Sequence, residues 1–218
     1  MQGLQGVVQP EELEFGEGVF LVRLARRAIE EYLKSRRRME APPETPPKLR
    51  KLGMSFVTIE TFTPSGKELR GCIGFLKPVY PLVDSVINAA IAAATEDPRF
   101  PPMTLDELGS VVIEVSVLST PRPVSNPRKE IVIGRHGIIV SRGWFSGTLL
   151  PQVPVDYCWD VETFLAEGCL KAGLYPDCWL EPGTRIEVYS ARVFQEVSPG
   201  GEVVERDLVR EWREKCGQ

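Results

Sequence analysis

The residue with the most evident chemistry is a cysteine set in a glycine-bearing strand pattern, Leu69-Arg70-Gly71-Cys72-Ile73-Gly74-Phe75. Glycine weakens a strand interior, so two of them at this spacing point to a bulge or to a close approach by backbone or ligand. Regular pairing would place Arg70, Cys72 and Gly74 on one face and Leu69, Gly71, Ile73 and Phe75 on the other. A guanidinium two residues from a thiol on the same side would lower the thiol's pKa and enlarge its thiolate fraction. The competing expectation is an inert, buried cysteine in an edge strand, because free cysteine packs as a small apolar residue.

A nucleophilic thiol needs a base and a donor for the developing oxyanion. His136 is the one imidazole in the chain, Asp97 and Glu114 supply carboxylates, Arg70 and Arg99 supply cations, and Gln152 supplies an amide. The candidate catalytic set is therefore Cys72, His136 and Glu114, with Arg70, Gly71, Gly74, Asp97, Arg99 and Gln152 as candidate binding residues. Each has a plainer role available. His136 sits between glycines and reads as an exposed turn residue, Asp97 and Arg99 flank Pro98 and can pair across a turn, and Glu114 can face water on a half-exposed strand. One histidine and scattered thiols lack the ligand spacing of a zinc site, so no metal is assigned. There is no glycine-rich phosphate cradle, and the cofactor is left unknown.

Elements must hold these groups in place. Residues 17–38 form an apolar stripe through Leu21, Leu24, Ala25, Ala28, Ile29, Tyr32 and Leu33, which predicts a helix closed by Lys34, Arg36, Arg37 and Arg38 in keeping with its dipole. Pro42, Pro43, Pro46 and Pro47 make 41–50 an extended connector. Residues 55–62 and 69–75 read as a hairpin around Pro64-Ser65-Gly66. Pro81 opens a second helix that is nearly apolar all round and therefore belongs in a core. Thr104 and Glu107 have capping-box spacing, with Gly109 as the left-handed stop of that short helix. Residues 111–118 alternate, with Glu114 and Ser116 on the polar side. Residues 131–133 and 137–140 read as a second hairpin, Asp160 caps a helix over 161–172 stopped by Gly173, and 185–194 is a long strand.

Strands that arrive as hairpins, with helices between, do not give steady βαβ alternation. The expected class is α+β: two domains, each with a mostly antiparallel sheet and flanking helices. Residues 1–120 and 183–218 make the larger, discontinuous domain, and 121–182 the smaller one. The chain has 218 residues, 43% hydrophobic and 26% charged, a globular balance that excludes wholesale disorder. A net charge of −4 gives no global attraction to nucleic acid or an anionic surface, so a nucleic-acid partner is the minority expectation. No apolar run is long enough to span a membrane, and Met1–Glu14 lacks the flank and apolar stretch of a signal peptide, giving a cytoplasmic expectation. Cysteines at 72, 158, 169, 178 and 216, without a CxxC pair, are read as reduced thiols by default. Arginine outnumbers lysine, asparagine occurs only at 88 and 126, and there are 19 prolines. That composition leans toward a heat-adapted source, where an intracellular disulfide becomes an open alternative for Cys158, Cys178 and Cys216.

The segment Leu69-Arg70-Gly71-Cys72-Ile73-Gly74 resembles the signature of the AMMECR family. Asp97-Pro98-Arg99-Phe100, residues 113–118, Gly134-Arg135-His136-Gly137, residues 149–153 and residues 169–174 are similar to that family's other blocks, in the same order across 15–195. Cys158 departs from the pattern, standing where the family suggests glycine or asparagine. The resemblance implies a two-domain α+β fold with the larger domain carrying both termini, and signature residues near the domain junction. It implies association with radical-SAM proteins and Memo-type proteins, and no established activity. Two functions follow as expectations: thiol-dependent chemistry centred on Cys72 in a pathway with those partners, or a non-catalytic module that binds a partner protein or RNA, with Arg36–Arg38 as one contact.

Overall fold

The structure is a computed structural model and describes residues 6–217. The chain divides into two units, each folded on itself: residues up to Leu118 together with Arg192–Arg206, and Ser119–Ala191 together with Asp207–Gln218.

In the first unit, α1 (Phe15–Ser35) buries Leu21, Val22, Leu24, Ala25, Ala28 and Ile29. It ends at Arg36, which is left-handed at φ 58°. Within the arginine cluster, Arg38 folds back, donating to Asn88 Oδ1 at 2.6 Å and pairing with Asp84. The long strand β1 (Leu52–Thr63) lies between β2 (Gly66–Gly74) and β4 (Val111–Leu118), antiparallel to both, and the two-residue β3 (Tyr80–Pro81) pairs with its start. The apolar helix α2 (Leu82–Thr95) begins one residue after Pro81, which serves as its N-cap. It packs with α1 against the face of the sheet bearing Val57, Ile59, Ile113, Val115 and Val117. Thr104 N donates to Glu107 Oε2 at 2.7 Å as the capping spacing requires, but Gly109 lies inside the short 3-10 turn Asp106–Ser110 rather than ending it in a left-handed conformation.

In the second unit, the predicted hairpin at 131–140 is displaced. Residues Pro127–Glu130 form a helical turn, α3, so the hairpin consists of β6 (His136–Arg142) and β7 (Phe145–Leu149) around Gly143. Gly143 has φ 59°, which glycine adopts without strain. A short helix α4 (Gln152–Asp156) precedes α5 (Val161–Lys171), whose cap is Asp160 accepting from Thr163 N at 2.8 Å. The strand β5 (Arg122–Pro123) pairs with the start of β8 (Arg185–Glu196), which passes from this unit to the first, where β9 (Val203–Glu205) pairs with its end. The strand order is β2-β1-β4-β8-β6-β7. The fold is α+β with an antiparallel sheet.

The chain returns to the first unit at 192, where the sequence suggests 183, and the C-terminal helix α6 (Leu208–Cys216) groups with the second unit rather than the first. Two features hold it there: buried Leu208 against Gly134, and a disulfide between Cys158 and Cys216. A second disulfide joins Cys169 and Cys178, so four of the five cysteines are bonded and the expectation of reduced thiols fails for all but Cys72. Among the described residues no helix is long and apolar enough to cross a membrane.

Candidate functional site

The signature strand is not regularly paired. Glu60 lies opposite Leu69 and Ile59 opposite Gly71, so Arg70 is the extra residue of a bulge. Cys72 therefore shares its face with Leu69, and Arg70 leaves the row on which regular alternation places it. Its guanidinium donates to Glu107 Oε1 at 2.8 Å and to the Pro101 carbonyl at 2.9 Å. The expected thiol–guanidinium partnership is absent, and the reason is the register.

Both glycines of the signature answer to close approach. A Cβ on Gly71 would lie 2.1 Å from the Ala93 carbonyl oxygen in α2, and one on Gly74 would lie 2.2 Å from the Phe56 ring. With no side chain at Gly71, α2 lies directly on the edge strand. Two residues beyond its last turn comes Asp97.

Cys72 lies opposite Thr58, which in turn lies opposite Glu114, forming one row across β2, β1 and β4. Thr58 Oγ1 donates to Cys72 Sγ at 3.3 Å. The Cys72 N–H points away from β1 and donates to Asp97 Oδ2 at 2.9 Å. A carboxylate thus occupies an edge-strand donor that would otherwise be open to another chain. Asp97 is buried and receives Arg99 through Nε at 2.9 Å and Nη2 at 2.7 Å, a two-pronged charge-assisted pair. Phe100 lies beneath both arginines, 5.8 Å from the Arg70 guanidinium and 5.5 Å from that of Arg99. Glu114 is buried rather than solvent-facing and accepts from Arg206 Nη1 at 2.9 Å.

The electrostatics follow from this arrangement. Burial pushes the Cys72 thiol up to about 11; Thr58 and Arg99 pull down, Glu114 and Asp97 push up, and desolvation wins. The residue keeps some exposed surface, but the sulfur itself is desolvated and stays protonated at neutral pH. The Arg99 bond, with the backbone donors of Cys72 and Arg99, holds the Asp97 carboxyl down at about 2.

Asp97 therefore makes stability depend on acid. The folded pKa lies below the ordinary 3.8, so the contribution is complete above about pH 4 and disappears as pH falls toward 2. At ~1.4 kcal/mol per pH unit the gap corresponds to about 2 kcal/mol. Denaturant melts of wild type and Asp97→Asn should differ by about that amount at pH 6 and converge by pH 2; equal acid sensitivity of the two proteins would refute the assignment.

His136 and Gln152 belong to the second unit. His136 is the first residue of β6, not a turn residue, and its Nδ1 accepts from Val132 N at 3.1 Å. Desolvation first, then Arg135 and Arg122, lower its pKa, so it is a neutral ring with one lone pair engaged. Gln152 opens α4 and is buried. Within the first unit, by contrast, Cys72, Gly71, Asp97, Arg99 and Arg70 are brought together, and Glu114 joins the group through Thr58. Thr58, Phe100, Glu107 and Arg206 complete it. The sequence pattern does not mark any of these four as site partners, although Glu107 is visible as a cap and Phe100 as part of a block. Among the described residues no three His, Cys, Asp or Glu side chains gather as metal ligands.

Residues 22–194 match the AMMECR1 family, and the match contains this whole signature except Arg206. The chain belongs to the AMMECR1 family. A protein from Thermococcus gammatolerans is 52% identical over 202 residues, covering 90% of this chain and 97% of its own length. One from Caldivirga maquilingensis is 50% identical over 215 residues, covering 95% and 97%. The crystal structure of an uncharacterized protein from Pyrococcus horikoshii, 50% identical, superposes with a TM-score of 0.85 over 89% of this chain and 98% of that one. These AMMECR1-type relatives come from heat-adapted archaea, in keeping with the arginine-rich, asparagine-poor composition.

Proposed function

We propose that this AMMECR1-family chain is a non-catalytic module that binds a partner protein, in which the signature blocks staple the first unit and the second unit carries the binding face. One observation carries the reading: the Cys72 thiol is protonated, and the charged groups around it are committed to one another, Arg70 with Glu107, Arg99 with Asp97 and Arg206 with Glu114. A nucleophile needs the thiolate. At about 11 the thiolate fraction at pH 7 is about a hundredfold below that of an ordinary cysteine.

The second unit offers surface of the kind that dominates protein interfaces. Trp144 at the β6–β7 turn is fully exposed, Phe145 beside it is mostly exposed, and Phe145 packs near Gly173. Exposed Tyr175 is reached by Arg142, which also pairs with Glu181. Tryptophan, tyrosine and arginine in one patch are the residue types enriched at binding hot spots. The overall negative charge and the paired arginines favour a protein over RNA.

Radical-SAM and Memo-type proteins, suggested by the family resemblance, are the partners to test. With such a protein purified from the same organism, calorimetry should give binding weakened about 30-fold by Trp144→Ala, a hot-spot loss of about 2 kcal/mol, and unchanged by Cys72→Ser. Cys72 should be alkylated at pH 7 about a hundredfold more slowly than glutathione, with a rate that rises about tenfold per pH unit and levels off only near pH 11. A thiol faster than glutathione, or binding lost with Cys72→Ser alone, would return the function to Cys72 chemistry.

A further inference from the structure

The two disulfides of the second unit occupy opposite environments. Cys169 and Cys178 are both completely buried and join the end of α5 to the turn Pro176–Leu180, closing a loop of sequence separation 9. Cys158 is exposed and Cys216 only half-buried; their bond spans a separation of 58 and reaches the last residue of α6. Cys158 also sits at φ 53°, a left-handed conformation that costs a residue bearing a Cβ. Cys216 lies outside the residues that match the family.

What this exposed bond holds is α6. Only Leu208 of its nine residues is buried, and it is seated against Gly134 at the far end of the helix. Near Cys216, α6 packs on α4, with Lys215 Nζ donating to the Asp156 carbonyl at 2.6 Å and Cys216 Sγ 3.8 Å from the Val155 carbonyl oxygen. The half-buried Trp212 leaves its indole N–H without a hydrogen-bond partner among the described residues. A nine-residue helix is too short to persist by itself in water. The covalent link thus fixes its C-terminal half, which otherwise rests on non-covalent packing against α4.

We infer that Cys158–Cys216 is a redox-responsive latch: oxidised, it clamps α6 beside α4; reduced by a dithiol, it releases the last turns of α6 and uncovers the α4 face, while Cys169–Cys178 stays intact and keeps the unit folded. In the step, a reductant thiolate attacks the exposed Cys158 sulfur, the S–S bond breaks and Cys216 leaves as thiolate and takes up a proton. The second thiol of the dithiol then attacks the mixed disulfide and releases Cys158 as a thiol. Two electrons and two protons pass to the protein, and the dithiol ends as a disulfide. The inference is independent of whether the chain is a binding module.

The test is millimolar dithiothreitol on the full chain under native conditions, with alkylation and peptide mapping, followed by hydrogen exchange of α6. Cys158 and Cys216 should be labelled together well before Cys169 and Cys178, and amides of 212–217 should exchange at least about tenfold faster while α5 is unchanged. Cys216→Ser should show the same exchange pattern with no reductant present. The latch is refuted if the two disulfides open together, if Cys169–Cys178 opens first, if the protein as purified has four reduced thiols at these positions, or if α6 keeps its protection after Cys158–Cys216 is cut.

Discussion

Glu196→Ala should be the most damaging single truncation in the first unit, lowering stability by about 3–5 kcal/mol, the cost typical of removing one partner from a buried ion pair. Glu196 is completely buried at the end of β8. One oxygen accepts from Arg26 Nε at 2.7 Å and Arg23 Nη1 at 3.3 Å; the other also binds Arg26 and accepts from the Ile113 N–H at 3.1 Å. A single carboxylate therefore ties α1 to two strands, and Arg26 continues to the carbonyls of Leu108 and Val111 at 2.9 and 2.7 Å. Removing it leaves a mostly buried guanidinium without its counter-charge, a strand N–H without an acceptor, and a void. For a chain of this size the thermal midpoint should fall by roughly 10 °C or more. Glu196→Gln keeps the shape and one acceptor and should lose less. The measurement is denaturant unfolding of the three proteins; a loss under about 1 kcal/mol for the alanine variant would mean that water already solvates the cluster. Removing Arg26 as well should cost less than the two single losses combined, because the second substitution abolishes the stranded charge.

Glu196 also marks the limit of what the chain's pattern reveals. The carboxylate and its arginines are separated by 170 and 173 residues, and no local period records such a meeting. Local chemistry is readable: Asp160 before an apolar-spaced segment gives α5 its cap, and the largely apolar run of 82–94 gives α2 its place in the core, because both are decided within a few turns of helix. The glycines of the signature are readable as a constraint, though not as to what meets them. The error that matters is one of register. Alternation places Arg70 beside Cys72, and a single extra residue between Leu69 and Gly71 undoes the pairing, since a shift of one residue exchanges faces. The cross-strand neighbours of the thiol, Thr58 and Glu114, which adjust a proton affinity set mainly by burial, come from β1 and β4 and become visible only once the strand order is known. The same holds for the cysteines: spacing does not say that 158 meets 216 rather than 178, because pairing is decided by where α6 docks.

Gly71→Val should cost about 3 kcal/mol or more and should leave the neighbouring thiol, which faces the other side of the sheet, as unreactive as before. Valine is a better strand residue than glycine, so local propensity alone predicts a gain. Against it stands the 2.1 Å gap between an ideal Cβ and the Ala93 carbonyl oxygen, which must open by more than about 1 Å to reach ordinary contact and, being backbone, cannot turn aside. The helix has to move, and overpacking of this kind typically costs about 1–3 kcal/mol before the added methyls are placed. Asp97 follows α2 by two residues, so moving the helix end draws its carboxylate away from the Cys72 N–H, but the sulfur lies on the opposite face of the sheet, in the row with Thr58 and Glu114, and its surroundings stay in place. Two readouts are therefore expected together: a lower denaturation midpoint, and a Cys72 alkylation rate at pH 7 that stays as slow as in wild type, because burial on the Thr58 face still pushes the thiol up to about 11. Cys72→Ser, which leaves the helix where it is, should cost only about 1 kcal/mol. If the thiol quickened together with the loss of stability, α2 and not the Thr58 face of the sheet would be what desolvates the sulfur. If the thiol quickened without loss of stability, the glycine would be serving access to the sulfur and not the packing of α2.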